Sequence, residues 1–507
     1  MKKKLLFLAL MHLFVVACSE PTSASDSTSV SPVTTTSSED STQSDSDDTT
    51  ISEDTTFSNE TTSDEITSDE ETNSQEESTS SEEPVPEGYY RIQYHSLLLK
   101  DEEGEFIPIH YDIPDEYLSF DHESNTFKKE LALAAFAFVA SAPEADTVTE
   151  AYQHFDFDDL YLSEDYGLEE QADTVKYAIG HKKVEDTNII NLTISGYQYK
   201  KPWQNNFNLG LTGNHAGFAN GANKVLPNLV NYLKKYQGDD RTILFINGFS
   251  RASAISNILI TSLIDNELIE DKDLYAYLFE TPIGVESKDE REYPSVFNVI
   301  NTADPVTHIA PASYGFRRIG TDIDMYKENA ADIIKEFDER LDVGVFTPNE
   351  GNYTNDIELT NYLIDYLLAP VDTESLEVPS KDMSTRENYY KNVQDDITYL
   401  MGFFFSLPEE VLPKVMDKFQ KTEMIELISL LQEDGIYNFL KPILDECEVS
   451  YEEEVLKAKL NNALYLVQQK PTLLSFVMSE EQRNNLLREV YFHTLEGVLP
   501  LLIALSR

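Results

Sequence analysis

The sequence predicts an α/β fold with a mainly parallel sheet, followed by a largely helical C-terminal region. Three observations carry that expectation. Between residues 127 and 323, short β-branched or aromatic runs alternate with amphipathic stretches of helical period. From Met325 onward the period turns almost purely helical. At 41% hydrophobic and 11% aromatic, the 507-residue chain also carries enough apolar side chains for a large core.

The chain starts with Lys2, Lys3 and Lys4, then an apolar run to Ala17. That pattern is a secretory signal, too short to span a bilayer as a mature anchor. The run ends Val15-Val16-Ala17-Cys18, similar to a bacterial lipobox, which implies a lipid on Cys18 and a membrane-tethered mature chain on the outer face. The alternative is an ordinary export signal followed by a chance cysteine. With Cys18 lipidated, Cys447 is the only thiol left, so stability has to come from the core.

Residues 18–87 follow as an almost unbroken Ser/Thr/Asp/Glu tract, with no Lys or Arg between Lys4 and Arg91. Such a segment cannot bury enough apolar surface to offset its ordering entropy, so it reads as a disordered, self-repelling tether. It contributes heavily to the overall balance of 38 Lys plus Arg against 92 Asp plus Glu, a net charge of −54. A chain this acidic has no electrostatic basis for holding nucleic acid.

The folded part divides into residues 88–324 and 325–507. A helix is expected over 127–142, strands at 175–179 and 189–194, and a helix over 216–236. A strand at 241–246, a helix over 253–264 and strands at 274–279 and 296–300 follow. Helices are then expected over 357–368, 388–405, 409–431 and 452–468, and the apolar stripe at 400–407 is a candidate cavity lining or simply helix core.

Chemistry concentrates where the 241–246 strand runs into Gly248-Phe249-Ser250-Arg251-Ala252 and then a helix. A sharp strand-to-helix turn pushes a serine hydroxyl out of the sheet, and its geometry demands small residues two before and two after the serine. Gly248 and Ala252 satisfy that demand. The competing reading is an ordinary turn with Ser250 as a helix cap. No His-Glu-x-x-His, cysteine pair or glycine-rich phosphate loop is present, so neither a metal nor another cofactor is expected.

The flanking segments come in a telling order. Ile189 to Phe207 (IINLTISGYQYKKPWQNNF), His215-Ala-Gly217-Phe218, Phe279-Glu280-Thr281-Pro282 and Asn301-Thr-Ala-Asp304-Pro305-Val306 surround the Gly248 to Ala252 turn. Together these resemble the class 3, fungal-lipase-like branch of the α/β-hydrolases, over about residues 127–323. The resemblance implies an α/β-hydrolase sheet with a helical cap or insertion, acting on acyl esters or lipids through Ser250 and Asp304 in the order Ser, Asp, His.

Beyond Asp304 only His308 and His493 exist. His308, four residues on, is poorly placed to lie between Asp304 and Ser250. His493 is preferred as the base, against either His308 or no catalytic histidine at all. The oxyanion donors implied by the resemblance are the backbone N–H groups of Arg251 and of Tyr197 or Gln198. Arg251 itself is expected in a structural salt bridge, Phe249 as an apolar filler, Trp203 in packing and His215 in orienting the nearby loop. The competing functions are a catalytically weak surface protein that binds a ligand or partner, and an amidase using the same three residues.

Overall fold

The computed structural model describes residues 84–506, except 101–105, 239, 289–290, 303, 326–364, 372–379, 409, 412–413, 416–417, 419–420, 422–428, 431 and 471–492. The expected export signal, Cys18, the expected tether as far as residue 83, and much of the helices expected at 357–368 and 409–431 lie outside the described residues.

The first element is an antiparallel hairpin of β1 (Tyr89–Lys100) and β2 (Phe106–Pro114). Its apolar positions Ile92, Tyr94, Ile109 and Ile113 are buried in the same core as α1 (Lys129–Ser141). This helix is apolar around its whole circumference, with Leu131 through Ser141 all buried, which is how a helix reads when it is enclosed on every side. Next come α2 (Ala145–His154), β3 (Asp159–Leu162), β4 (Tyr177–Val184) and β5 (Thr187–Ile194). After them the chain builds α3 (Ala216–Tyr236), β6 (Arg241–Phe249), α4 (Arg251–Asp265), β7 (Leu274–Phe279), β8 (Val285–Glu286), β9 (Val296–Ile300), β10 (Phe316–Arg317) and β11 (Thr321–Asp324).

Seven of these strands form one sheet in the order β11-β9-β7-β6-β5-β4-β3. The five from β11 to β5 run parallel, while β4 and β3 extend the edge antiparallel. Strand β7 reads as a continuous apolar run, and β6 and β9 are largely apolar but for the buried Asn247 and Asn298 and the start of β6, because both faces of the sheet are covered. Alternate residues divide between the faces. Phe245, Tyr275, Tyr277, Phe297 and Val299 join the α1 core, whereas Leu244, Ile246, Leu274, Ala276 and Leu278 join the core beneath α3 and α4.

The bounds of α3, β7 and β9 are those the sequence predicts. Strand β6 runs three residues past the expected end, because Gly248 pairs with Ile194 of β5 and Phe249 with Phe279 of β7. Sheet order, two-sided coverage and the sharp turn from β6 into α4 make this an α/β-hydrolase fold.

The C-terminal region contributes α5 (Arg386–Asn392), α6 (Gln394–Phe405), α7 (Gly435–Glu446), α8 (Glu453–Gln469) and α9 (Leu495–Ser506). The single helix expected over 388–405 is broken at Val393 (φ −133°, ψ −38°). Just past the break, Gln394 Oε1 accepts the N–H groups of Leu209 and Gly210 at 3.0 and 3.2 Å, a tertiary anchor that local periodicity does not report. Leu400 and Met401 of the apolar stripe pack into the helical core, Leu400 among Tyr437, Leu444 and Leu456, and Met401 among Phe207, Leu209 and Tyr389. Helix α9 returns to the sheet, where Val498, Leu499, Leu501 and Leu502 are buried in the α1 core. Cys447, at the end of α7, forms no disulfide.

Candidate functional site

At the end of β6 the chain turns into α4 through Ser250, whose φ of 54° and ψ of −125° lie in a region that L-residues rarely occupy. Such a conformation persists only where the surroundings impose it. Here the Ser250 N–H is held by the Phe279 carbonyl at 2.9 Å, and the Ser250 carbonyl accepts the N–H groups of Ser253 and Ala254, further along the first turn of the helix. At Gly248 a Cβ would come within 3.2 Å of Ala252 and Ser253, tighter than ordinary packing.

Ser250 is bonded to a residue 243 positions away. Its hydroxyl lies 2.7 Å from His493 Nε2, and His493 Nδ1 lies 2.5 Å from Asp304 Oδ2. The carboxylate fixes the proton on Nδ1, which leaves Nε2 as the acceptor of the serine proton. Asp304 is held by its own motif. Pro305 offers no N–H, and Asp304 Oδ1 accepts the next one, from Val306, at 2.9 Å, capping the short turn Pro305–His308. His493 is set by α9, which begins two residues later and is capped by Thr494, whose hydroxyl accepts the Gly497 N–H at 3.1 Å. The Phe249 ring packs against the imidazole at 5.3 Å between centroids.

His308 is directed elsewhere. Its Nε2–H donates to the Thr302 carbonyl at 3.2 Å, and burial lowers its pKa.

The loop after β5 comes close to the turn holding Ser250. A Cβ on Gly196 would sit 1.7 Å from the Phe249 carbonyl oxygen, so only glycine admits that approach. Gly196→Ala is therefore expected to lower kcat by about 100-fold or more through displacement of the loop. Thermal unfolding measured beside kinetics separates that effect from loss of fold. Arg251 opens α4, where the first N–H groups have no acceptor within the helix. Gln198 has a left-handed backbone (φ 56°). Tyr197 is buried, with its hydroxyl on Glu496 Oε2 at 3.2 Å and its ring edge-on to Phe249. The Arg251, Tyr197 and Gln198 segments thus flank the approach to Ser250.

Three further side chains were not legible as site residues in the sequence. Glu496, in the first turn of α9, accepts from Ser96 of β1 at 2.6 Å as well as from Tyr197, tying the helix after His493 to the loop after β5. The Tyr199 hydroxyl accepts from Asn206 at 3.0 Å and reaches the Ser250 hydroxyl, and burial raises its pKa. Glu280, one residue past β7, is fully buried against Asp304.

The expected salt bridge of Arg251 is not formed. Among the described residues its only hydrogen bond is to the Thr174 carbonyl at 3.4 Å, its Nε has no partner, and burial lowers its pKa. The carboxylates of Asp173, Glu170 and Asp165 act on it only at a distance, each engaged elsewhere: Asp173 by Lys224, Glu170 by the N–H groups of Lys200 and Lys201, and Asp165 by the Val175 N–H.

His215 orients the loop by donating Nε2–H to the Asn206 carbonyl at 3.1 Å while Nδ1 accepts the Phe218 N–H at 3.4 Å. Burial pushes its pKa down to about 3, so it stays neutral. Trp203 stacks on Phe405 of α6 at 4.6 Å, joining the helical region to the same loop. No cluster of His, Cys, Asp and Glu among the described residues is arranged to hold a metal.

No protein-family model and no curated protein sequence matches the chain. Solved structures similar to it include the lipase of Rhizopus microsporus var. chinensis, with 15% identity over 41% of this chain and 80% of that one and a TM-score of 0.29. The Rhizomucor miehei lipase in complex with its propeptide shares 16% identity over 40% of this chain and 69% of that one, at a TM-score of 0.30. Lipase II of Rhizopus niveus shares 16% identity over 38% and 77%, at 0.28. These likenesses are partial, and the α/β-hydrolase fold stands on the chain's own sheet order and the turn at Ser250.

Proposed function

We propose that the chain is an extracytoplasmic serine hydrolase that cleaves carboxylic esters, of the lipase or carboxylesterase type, through an acyl-enzyme. The observation that carries this reading is the hydrogen-bonded run Ser250 to His493 to Asp304, assembled from three distant parts of the chain around a strained serine. A serine hydroxyl is a weak nucleophile until a positioned imidazole takes its proton.

In the proposed reaction, Ser250 Oγ attacks the ester carbonyl carbon as its proton passes to His493 Nε2. Asp304 holds the imidazolium that forms and remains ionised itself. Backbone N–H groups of Arg251 and of Tyr197 or Gln198 receive the oxyanion. Collapse of the tetrahedral intermediate breaks the bond to the leaving alkoxide, which takes the proton from His493. Water then repeats the sequence on the acyl-Ser250 ester and releases the acid.

A panel of soluble acyl esters against matched amides tests the reaction class. Ester turnover with no amide turnover supports the reading, while binding of acyl ligands with no turnover favours the weak-enzyme alternative. The lipobox at Cys18 supports attachment to the outer face of the bacterial membrane through a lipid. Cys18→Ala is expected to move the protein from the membrane fraction to the soluble fraction, and retention of the variant in the membrane would contradict lipid anchoring.

A further inference from the structure

A second carboxyl lies behind the first. Glu280 and Asp304 are both 0% exposed. Glu280 sits at a φ of 44°, with one Asn301 N–H reaching its two oxygens at 3.1 Å each, and the Asn301 carbonyl accepts the Asp304 N–H at 2.9 Å, so one tight turn brings the two carboxyls within hydrogen-bonding reach of each other. Among the described residues neither pairs with a lysine or arginine. The cation acting on Glu280 is Arg318, which is committed to Asp322 and to the carbonyls of Thr281 and Thr307.

Two carboxyls in contact inside a protein cannot both ionise, so the hydrogen bond between them needs a proton. The surrounding donors decide where it resides. Asp304 receives separate donors on its two oxygens, Val306 N–H on Oδ1 and His493 on Oδ2. Glu280 has one N–H straddling both of its oxygens. We propose that Glu280 is a protonated carboxylic acid in the folded protein, a positioning residue that donates a hydrogen bond to Asp304 and holds that carboxylate against His493. Burial first, and the Asp304 charge second, keep the Glu280 acid form well above the usual carboxyl range. The proton is held and not transferred, so it enters no step of the reaction.

The catalytic consequence rests on the hydrolase reading, but the protonation itself does not. The charged or titratable groups facing Glu280 are Asp304 and Arg318, with His493 beyond Asp304 and His308 and Asp322 near Arg318. All of these remain in Glu280→Gln. The folded protein keeps a proton that the unfolded chain releases above its ordinary value of 4.5. Wild type must therefore lose stability relative to Glu280→Gln as pH rises above that value, and the gap closes below it.

The test compares the full chain with Glu280→Gln and Glu280→Ala. Infrared spectra at neutral pH are expected to show a protonated-carboxyl stretch that Glu280→Gln lacks. The melting temperature of Glu280→Gln minus that of wild type is expected to grow between about pH 5 and about pH 8. With a soluble ester, Glu280→Ala should lose about tenfold or more in kcat with KM little changed, and Glu280→Gln, whose amide can still donate, should restore most of it.

An unchanged carboxyl band, or a melting difference flat with pH, would overturn the proposal, as would equal kcat for the Ala and Gln variants. Should Glu280→Ala fail to fold, the infrared and melting comparisons of Glu280→Gln with wild type decide. A protein inert toward esters would remove the hydrolase reading and leave those two readouts standing.

Discussion

Ser250→Ala is expected to lower kcat/KM toward esters by about four orders of magnitude or more, with the fold intact. Its hydroxyl makes one described hydrogen bond, to His493, and lies near the Tyr199 hydroxyl. The backbone bonds that hold the turn, from the Ser250 N–H to Phe279 and from Ser253 and Ala254 to the Ser250 carbonyl, survive the change. Alanine meets the same positive φ that serine does, so the strain is carried over and not relieved. Thermal unfolding beside steady-state kinetics checks both halves of this expectation. A variant that unfolds several degrees lower would indicate that Ser250 serves the fold.

The second large effect belongs to the other two members of the run. His493→Ala and Asp304→Asn are each expected to cost about 10,000-fold in kcat, and neither should add much to Ser250→Ala, because the three act as a unit. Asp304→Asn removes the acceptor that fixes the His493 proton on Nδ1, so the loss should fall on kcat more than on KM. His308→Ala is the matched comparison. That imidazole is spent on the Thr302 carbonyl, and its removal should cost far less activity than loss of His493. Kinetics of the single variants, with Ser250→Ala/His493→Ala as the double variant, measure the non-additivity.

The sheet was legible in the sequence where local pattern and tertiary role agree. Strands β7 and β9 are short apolar runs buried on both faces, and α3 is amphipathic along its length. Helix α9 gave no comparable signal, since a segment apolar all round has no polar face to set its period, and its Pro500 argues locally against a helix. The hairpin of β1 and β2 and the strands β3 and β11 were missed as well. Strand β3 is half-buried throughout, without alternation, and β11 is four residues long with exposed Thr321 and Asp322.

The Gly248 to Ala252 turn and the Asp304-Pro305-Val306 cap are local devices, and a local reading finds them. Glu280 and Glu496 reach the site only through the register of strand ends and the return of the C-terminus, which no short window of sequence contains, whereas Tyr199 lies beside Gln198 in the loop after β5. Arg251 shows the opposite failure. A chain of net charge −54 makes a salt bridge the natural expectation for any arginine, yet the turn buries this one, and its side chain reaches the Thr174 carbonyl and no carboxylate.

The most direct test of the central claim is labelling of the full-length protein with a fluorophosphonate, followed by mass mapping of the adduct in wild type, Ser250→Ala and His493→Ala. One stoichiometric adduct is expected on Ser250, none in Ser250→Ala, and labelling slowed by orders of magnitude in His493→Ala. Folded wild-type protein that takes no label, or takes it on another residue, would contradict the claim that Ser250, His493 and Asp304 form an activated nucleophile.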